Sequence, residues 1–429
     1  MSRKFILAAM SLCALGVVSC ATKQAPLQGE RESILTQQTV LKPDAAVASV
    51  DVMLPDPVRM QSWPQVGGYA DHAPLHVALN DRVTPGWEND IDITSDYERM
   101  LNSAVVEDGL IYVSTGDGVI ALNLETGKEV WEKELESSFD EEVTFTGGIA
   151  VVGGTLYVTT GTGEVFALTA DSGETIWHKE VGAPVRAAPT IDDGRVFVVS
   201  HDNRLHVLSA VDGSLQWTHS GIEESAGIVG GAAPAVSNGI AIVAYSSGEV
   251  YALRAADGSY LWHEAVSSRS SLNPFGGVSD ITAAPVIVGN VVYVASQGGR
   301  LVTFDLQNGR QFWAKDIAAQ SMPWVSGNHV FVLTDNNELV ALNRKRGQVR
   351  WVHKLAAVEK DGNVFWQGPV LAGDRLVVVS SNGYAASVSP YSGEQLSLIK
   401  VADSLSVTPI VASGNLIFTT DEGDIITFR

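Results

Sequence analysis

Cysteine is almost absent from this chain of 429 residues, and its two cysteines, Cys13 and Cys20, both lie near the N-terminus. The rest of the chain therefore offers no disulfide framework, no cysteine-rich zinc site and no thiol nucleophile. Stability must come from a hydrophobic core, which a chain of this length is able to bury without covalent cross-links.

Positive charge is also scarce, because 28 lysines and arginines stand against 49 aspartates and glutamates, for a formal net charge of −21. A surface of this sign repels a phosphate backbone, so nucleic acid is not expected as a partner. Long helical patterns are hard to find as well. The 41 glycines instead favour many short strands joined by tight turns.

The N-terminal 20 residues have the pattern of an export signal. Arg3 and Lys4 precede the apolar run Phe5–Val18, which is too short for a transmembrane helix. The run ends in Val-Val-Ser-Cys at Cys20, which resembles the lipobox of bacterial lipoproteins. That resemblance implies cleavage before Cys20 and lipidation of its thiol, and Ala21 after it favours the outer membrane. An ordinary secretory signal with a chance cysteine is the alternative.

Three segments are predicted along the chain. Residues 1–19 form the lipoprotein signal peptide, and 20–57 form a lipidated cysteine followed by a flexible polar tether, since this tract lacks a regular apolar period. Residues 58–429 form a single β-propeller domain.

The propeller is predicted from an internal repeat. Gly-x-x-x-Trp recurs six times, and apolar strands precede each copy; the Gly/Trp pairs are Gly127/Trp131, Gly173/Trp177, Gly213/Trp217, Gly258/Trp262, Gly309/Trp313 and Gly347/Trp351. Each unit has four short strands, as expected of a propeller blade. We assign the tryptophans to packing between neighbouring blades, where a large ring can fill the gap.

Two further units are irregular. Pro369–Ser397 keeps Gly393 but has Ser397 at the tryptophan position, and Pro409–Arg429 ends after its third strand, Ile425–Phe428. Trp87 lies in a blade-like strand with no blade before it. We therefore expect an all-β, eight-bladed propeller of four-stranded antiparallel blades whose ring is closed by the N-terminal strand around Trp87. Seven blades remain the alternative if the degenerate unit is not a blade.

The repeat resembles that of quinoprotein-type propellers, which PQQ-dependent dehydrogenases and the BamB family share. The whole chain, with lipobox, tether and one propeller, is similar to the BamB family of the outer-membrane β-barrel assembly (BAM) machinery. Trp63–Gly68, Ser279–Pro285 and Gly423–Arg429 resemble stretches of that family. The resemblance implies a lipid-anchored scaffold at the periplasmic face of the outer membrane, without enzymatic activity or cofactor. It also implies binding to the POTRA domains of a BamA-like protein, with other BAM components, to assist folding and insertion of outer-membrane proteins.

Two interblade loops are the predicted binding site, because the family's docking loops match Gly221–Gly231 and Ser267–Asp280 here. The second loop is also long, and long loops on a rigid scaffold commonly carry binding. The sequence departs from the family at Val229, which replaces an arginine, and at Thr282, which replaces an aspartate. A purely covering role for the loops is the alternative. The predicted partner-binding residues are Ile222, Glu223, Glu224, Ile228, Val229, Leu272, Phe275 and Asp280.

Two other functions stay open at this point. A PQQ-dependent dehydrogenase has similar repeats, but that family is usually longer and often has two adjacent cysteines, which this chain lacks. An envelope propeller that binds peptidoglycan, a sugar or another protein is the third class. The chain contains no convincing catalytic triad, phosphate-binding loop or metal-ligand spacing, so we expect neither catalysis nor a bound metal.

The lipobox pattern yields a first test. Replacing Cys20 by alanine removes the thiol that would be acylated, so we expect the C20A protein to move from the membrane fraction to the soluble periplasmic fraction. Fractionation followed by immunoblotting measures this shift. Membrane retention of C20A through high-salt washes, in a strain without its protein partners, would contradict the anchor.

Overall fold

The protein forms a closed ring of eight four-stranded antiparallel sheets, which confirms the predicted eight-bladed propeller. The structure, a computed structural model, describes residues 40–47, 49–91, 103–115, 118–137, 146–185, 187–223, 231–266, 281–356 and 364–429. Within these ranges Val40–Arg429 make up one compact unit. A single short 3₁₀ helix, Val66–Gly68, is the helical element of the described part.

Each blade runs from an inner strand beside the central channel to an outer strand at the rim. The strands of blades 1 to 4 are β2 (Val105–Glu107), β3 (Leu110–Ser114), β4 (Gly118–Asn123) and β5 (Glu129–Glu134); β6 (Thr146–Val152), β7 (Thr155–Thr160), β8 (Glu164–Thr169) and β9 (Thr175–Glu180); β10 (Thr190–Asp192), β11 (Arg195–Ser200), β12 (Arg204–Ser209) and β13 (Leu215–Ser220); and β14 (Ala235–Ser237), β15 (Ile240–Ala244), β16 (Glu249–Arg254) and β17 (Tyr260–Ala265).

The second half of the ring repeats the arrangement, and its last blade takes its outer strand from the start of the chain. The strands of blades 5 to 8 are β18 (Val286–Val288), β19 (Val291–Ala295), β20 (Leu301–Asp305) and β21 (Gln311–Lys315); β22 (Trp324–Ser326), β23 (His329–Leu333), β24 (Glu338–Asn343) and β25 (Val349–Lys354); β26 (Trp366–Ala372), β27 (Arg375–Ser380), β28 (Tyr384–Val388) and β29 (Gln395–Lys400); and β30 (Ile410–Ala412), β31 (Asn415–Thr419), β32 (Ile425–Phe428) and β1 (Pro85–Asn89).

The tryptophans join neighbouring blades as predicted. Each ring lies on the glycine that opens the outer hairpin of the next blade; a methyl group on Gly127 would come within 2.4 Å of the Trp87 ring. These glycines have positive φ, so both their backbone and their missing side chain are required. Each indole Nε1 also donates to a carbonyl of that hairpin, at 2.8–3.2 Å; the acceptors of Trp87, Trp131, Trp177, Trp217, Trp262, Trp313 and Trp351 are Leu124, Ala170, Ala210, Ala255, Leu306, Arg344 and Pro390.

The ring is closed by pairing between the two ends of the domain. β1 pairs antiparallel with β32, with Glu88 opposite Ile426, which confirms the predicted closure. Beyond the strand, Thr84 and Arg429 exchange backbone hydrogen bonds of 2.7 and 2.8 Å. Blade 8 is thus completed by two chain segments rather than by a hairpin. This explains Ser397, because a tryptophan there would have no hairpin turn in blade 8 to rest on.

The segment from Val58 to Ala78 crosses one end of the central channel, and we call it the plug. It bonds to the inner region of every blade, in ring order. The contacts for blades 8, 1, 2 and 3 are Met60 O with Ser413 N, Trp63 with Val106, Pro64 O with Val151 N, and Gln65 Oε1 with Ile191 N. Those for blades 4, 5, 6 and 7 are Ala70 O with Val236 N, Asp71 O with Ile287 N, Leu75 O with Trp324 Nε1, and Val77 with Leu371 and Gly373.

A buried histidine fixes the middle of the plug. The ring of His72 is 1% exposed, and its Nδ1 lies 2.7 Å from the carbonyl oxygen of Pro285 in blade 5. Burial lowers the pKa of His72 to about 4, because the charged form would lose its hydration. The neutral ring donates to Pro285, so the plug is held by an uncharged hydrogen bond over the neutral pH range.

The predicted tether is corrected at its C-terminal end. Residues 40–57 were expected to be flexible, but those described pack on blade 6 beside the plug. Asp44 N donates to Val349 O at 2.8 Å, and the Met53 backbone bonds to Asn328. Val47 and Val52 are buried there. The sequence pattern missed this contact because the segment uses backbone groups and isolated apolar residues, without a repeating period.

The packing of the tryptophans against the next blade can be tested at Trp87, in the strand that closes the ring. Replacing Trp87 by alanine removes a large half-buried ring and its hydrogen bond to Leu124, so we expect a loss of about 2–4 kcal/mol in unfolding free energy. Urea denaturation measures this change. The control is Leu396→Ala on β29, whose side chain is 56% exposed and which should change stability by less than about 0.5 kcal/mol. Equal losses in both variants would contradict the packing role.

Candidate partner-binding face

The two faces of the ring differ in what they carry. The turns between first and second strands and between third and fourth strands lie on one side with the plug, and we call this the plug face. The interblade connections and the turns between second and third strands lie on the other, the loop face. Both predicted binding loops connect blades, and the strand ends that bound them lie on the loop face.

The base of the first predicted loop is fixed by two buried polar side chains. Ile222 N donates to Glu249 Oε2 at 2.9 Å, and Asn203 Nδ2 donates to Ile222 O at 2.8 Å. Gly221 N also donates to Asn203 O. Asn203 belongs to blade 3 and Glu249 to blade 4, and both are less than a tenth exposed. The loop therefore leaves the scaffold from a defined position between these blades.

Glu249 is itself held by hydroxyl groups of its own blade. Ser247 Oγ donates to Oε2 at 3.0 Å and Tyr251 Oη donates to Oε1 at 2.9 Å. Desolvation, followed by the hydrogen bond to Glu249, raises the pKa of Tyr251 to about 12. The phenol consequently stays a donor at neutral pH, and the carboxylate is saturated by neutral donors instead of a cation.

Aromatic rings pack around this carboxylate. His219 stacks on Tyr245 with ring centroids 6.0 Å apart, and its Nδ1 lies 2.9 Å from Tyr245 Oη. Tyr251 contacts both His219 and His263, at 4.4 and 5.3 Å. Burial lowers the pKa of His219, although the charge of Glu249 opposes the shift. The result is a rigid aromatic layer beneath the loop base, which limits movement of the exposed residues above it.

A second buried glutamate has the same position in blade 2. Glu164 accepts hydrogen bonds from Ser137 Oγ at 2.7 Å and Thr162 Oγ1 at 2.6 Å, and its Oε1 lies 2.9 Å from His178 Nε2. Ser137 lies at the start of the connection from blade 1 to blade 2. Glu164 thus fixes an interblade connection in the way that Glu249 does. Sequence reasoning missed both, although they share the sequence Gly-Glu-Val-aromatic-Ala-Leu.

The structure places two of the predicted partner-binding residues at this site. Ile222 is 61% exposed, and Glu223 beside it is exposed as well. The predicted residues Glu224, Ile228, Val229, Leu272, Phe275 and Asp280, and the lipidation site Cys20, lie outside the described residues. Their assignment therefore stays a prediction.

A cavity of about 220 Å³ occupies the central channel. Trp63 to Gly67 of the plug close it at one end, and the beginnings of the inner strands surround it. Trp324, Met322 and small residues such as Ala104 and Ala284 contribute apolar surface. Its described lining includes no charged side chain.

Comparison with known families assigns the chain. A family model described as outer membrane protein assembly factor BamB matches residues 82–148 and 116–353. Together the matches extend from residue 82 to 353, more than half of the 429 residues. The chain belongs to this BamB family. Its predicted family resemblance is thereby confirmed.

Individual relatives carry the same description over most of their length. The outer membrane protein assembly factor BamB of Moranella endobia is 26% identical over 336 residues, 75% of this chain and 83% of the relative. The protein of that name from Salmonella typhimurium is 29% identical over 338 residues, covering 75% and 82% of the two chains. That from Escherichia coli is 27% identical over 335 residues, covering 74% and 81%.

Solved structures share the propeller fold. BamB from Moraxella catarrhalis superposes with a TM-score of 0.69 at 19% identity, and the superposition covers 81% of this chain and 100% of the Moraxella chain. The quinohemoprotein alcohol dehydrogenase from Comamonas testosteroni superposes with a TM-score of 0.65 at 14% identity, covering 90% and 83%. At these identities the likeness concerns the fold alone.

The described channel residues do not fit a quinone cofactor of the PQQ type. PQQ carries three carboxylates, and buried carboxylates require cationic or multiple hydrogen-bonding partners. The described cavity lining has no lysine, arginine or histidine. Among the described residues, no cluster of three or more His, Cys, Asp or Glu side chains could hold a metal ion. The described residues also include no helix long and apolar enough to cross a membrane.

The hydrogen bonds that hold the base of the first loop can be tested by a change at Glu249. Its replacement by alanine removes the acceptor for Ile222 N, Ser247 Oγ and Tyr251 Oη. A hydrogen bond to a charged group contributes about 1.5–3 kcal/mol, so we expect amide exchange at Ile222 to accelerate roughly tenfold or more. Native-state hydrogen exchange measures this rate. The control is Glu264→Ala, which changes an exposed glutamate of the same blade. If the Ile222 amide exchanges equally fast in both variants, Glu249 does not hold the base of the loop.

Proposed function

We propose that the chain is a scaffold of the outer-membrane β-barrel assembly machinery. In this proposal it binds the POTRA domains of a BamA-like protein, in company with other BAM components, and assists folding and insertion of outer-membrane proteins. Membership of the BamB family carries the proposal, and the relatives, named as outer membrane protein assembly factors, indicate the biological process. The anchor at Cys20 and the periplasmic side of the outer membrane belong to the same proposal.

The loop face is the proposed docking surface. Its first loop starts from a base that Asn203 and Glu249 fix by hydrogen bonds, so little conformational freedom of that base is lost on binding. Ile222 presents an exposed apolar side chain beside the acidic Glu223. An apolar contact bordered by charge is the common composition of protein interfaces.

A non-enzymatic role agrees with the chemistry of the described residues. The buried glutamates Glu164 and Glu249 are saturated by donors that position loops, which leaves no free carboxylate there for proton transfer. The described channel lining has no charged side chain and offers no nucleophile paired with a base among its described residues. These observations favour a binding protein over a dehydrogenase.

Binding of the lipid-free mature protein to recombinant POTRA domains of the same organism tests the proposal. We expect Asp280→Arg combined with Phe275→Ala to weaken binding at least about 30-fold, since losing a central charge and an aromatic anchor costs at least about 2 kcal/mol. Ile222→Ala should weaken it less. Calorimetry or surface plasmon resonance measures the affinities, and thermal melts must stay unchanged.

The control for this experiment is Val211→Ala. Val211 is 80% exposed, but it lies in the outer hairpin turn of blade 3, on the plug face. Its replacement should leave the affinity unchanged. Undiminished binding by the double variant would place the interface elsewhere. Stoichiometric uptake of PQQ with alcohol-dependent dye reduction would overturn the scaffold function.

A further inference from the structure

The central cavity has an apolar floor formed by two stacked indoles. The rings of Trp63 and Trp324 lie 6.4 Å apart at an interplanar angle of 24°, and each is at most 3% exposed. Trp324 Nε1 donates to Leu75 O at 2.6 Å, and the Trp63 backbone exchanges two hydrogen bonds with Val106. The floor is therefore preformed, because plug and inner strands hold both tryptophans in place.

The opposite end of the cavity has neutral polar groups. Inner strands run from the loop face to the plug face, so the residues that precede them lie nearest the loop face. At these positions the cavity is lined by Ser103, Thr282, Ser321 and Thr408, and Gln367, the second residue of β26, lies beside Ser321. Ser321 Oγ donates to Gln367 Oε1 at 3.0 Å, and Ser103 Oγ to Thr408 O at 3.3 Å. The described lining thus forms a cup with a polar rim and an apolar floor.

We propose that this cup binds one aromatic side chain, a tyrosine or a tryptophan, from an extended segment of a partner polypeptide. The inference rests on the proposed function, since the cup lies at the centre of the proposed docking face. It adds a specificity that family membership does not supply. The partner residue would insert along the channel axis, with its ring towards Trp324 and its polar atom at the rim.

Size and chemistry select this occupant. A volume of about 220 Å³ accommodates a single large side chain but falls below the roughly 300–1,000 Å³ of small-molecule sites. Tyrosine and tryptophan combine an apolar ring with one polar atom, which matches the order of floor and rim. A charged side chain would be desolvated without a counter-charge, since the described lining is neutral. An aliphatic side chain would fill the apolar floor but would add no hydrogen bond at the polar rim.

The test uses two short peptides as probes, acetyl-Thr-Tyr-Thr-amide and acetyl-Thr-Ser-Thr-amide, with the lipid-free mature protein. The indole Nε1–H resonance of Trp324, assigned through Trp324→Phe, reports occupancy of the cup in NMR titrations. We expect the tyrosine peptide to shift it with an affinity at least tenfold higher than the serine peptide. Equal titrations with the two peptides, or none with the tyrosine peptide, would overturn the proposal.

Filling the cup must abolish the preference. Ala284→Leu adds volume inside the lining, and Thr282→Leu does so at the half-buried rim, which keeps the test valid if the first variant fails to fold. We expect either change to lower the affinity for the tyrosine peptide at least tenfold without altering the thermal melting temperature. Ala265→Leu, at an exposed outer-strand position, should leave the affinity unchanged. Undiminished binding in the folded cup variants would overturn the site.

Failure of this inference and failure of the proposed function are distinguishable. If the wild-type protein binds POTRA domains but does not respond to the tyrosine peptide, the aromatic-binding site is rejected and the proposed scaffold function is retained. If the protein does not bind POTRA domains but responds to the tyrosine peptide, and Ala284→Leu abolishes that response, the aromatic-binding site is supported and the proposed partner is rejected.

Discussion

The contact between a tryptophan and a glycine of the next blade is the interaction on which this molecule depends. The ring needs a flat surface that only glycine leaves free, and its Nε1 needs the carbonyl that the following turn presents. Because both requirements are met across a blade boundary, each contact fixes the angle between two sheets. Repeated at seven of the eight junctions, with Ser397 in place of the tryptophan between blades 7 and 8, it determines the number of blades and hence the width of the channel.

The width of the channel creates a second requirement. Eight inner strands surround a space that their own side chains, largely small at the strand beginnings, do not fill. The plug fills one end and at the same time satisfies exposed backbone groups of the inner region, one blade after another. The other end keeps its cavity. A single structural cause, the size of the ring, thus accounts both for the plug and for the cavity that the plug leaves.

The repeat made most of the fold predictable from sequence. Gly-x-x-x-Trp marks the outer hairpin, prolines such as Pro234 and Pro285 precede inner strands, and the solitary Trp87 revealed the closure. The plug and the packing of residues 40–57 could not be predicted, because their contacts join backbone groups of segments far apart in sequence. For the candidate site, the sequence identified the first interblade connection, and its role in binding stays a prediction. Ile222 lies where expected, while Asn203 and Glu249 gained their roles through hydrogen bonds that no local pattern encodes.

The segments that close the ring lie at opposite ends of the domain, so they cannot pair until the C-terminal strand has been made. Trp87 bonds to Thr427, 340 residues later, and Met60 in the plug accepts from Ser413. A chain that is synthesised from its N-terminus delivers these early segments long before their partners. Contacts of such separation form slowly. Until the last strand has been made, the unpaired edge of β1 stays exposed to proteases and to other chains.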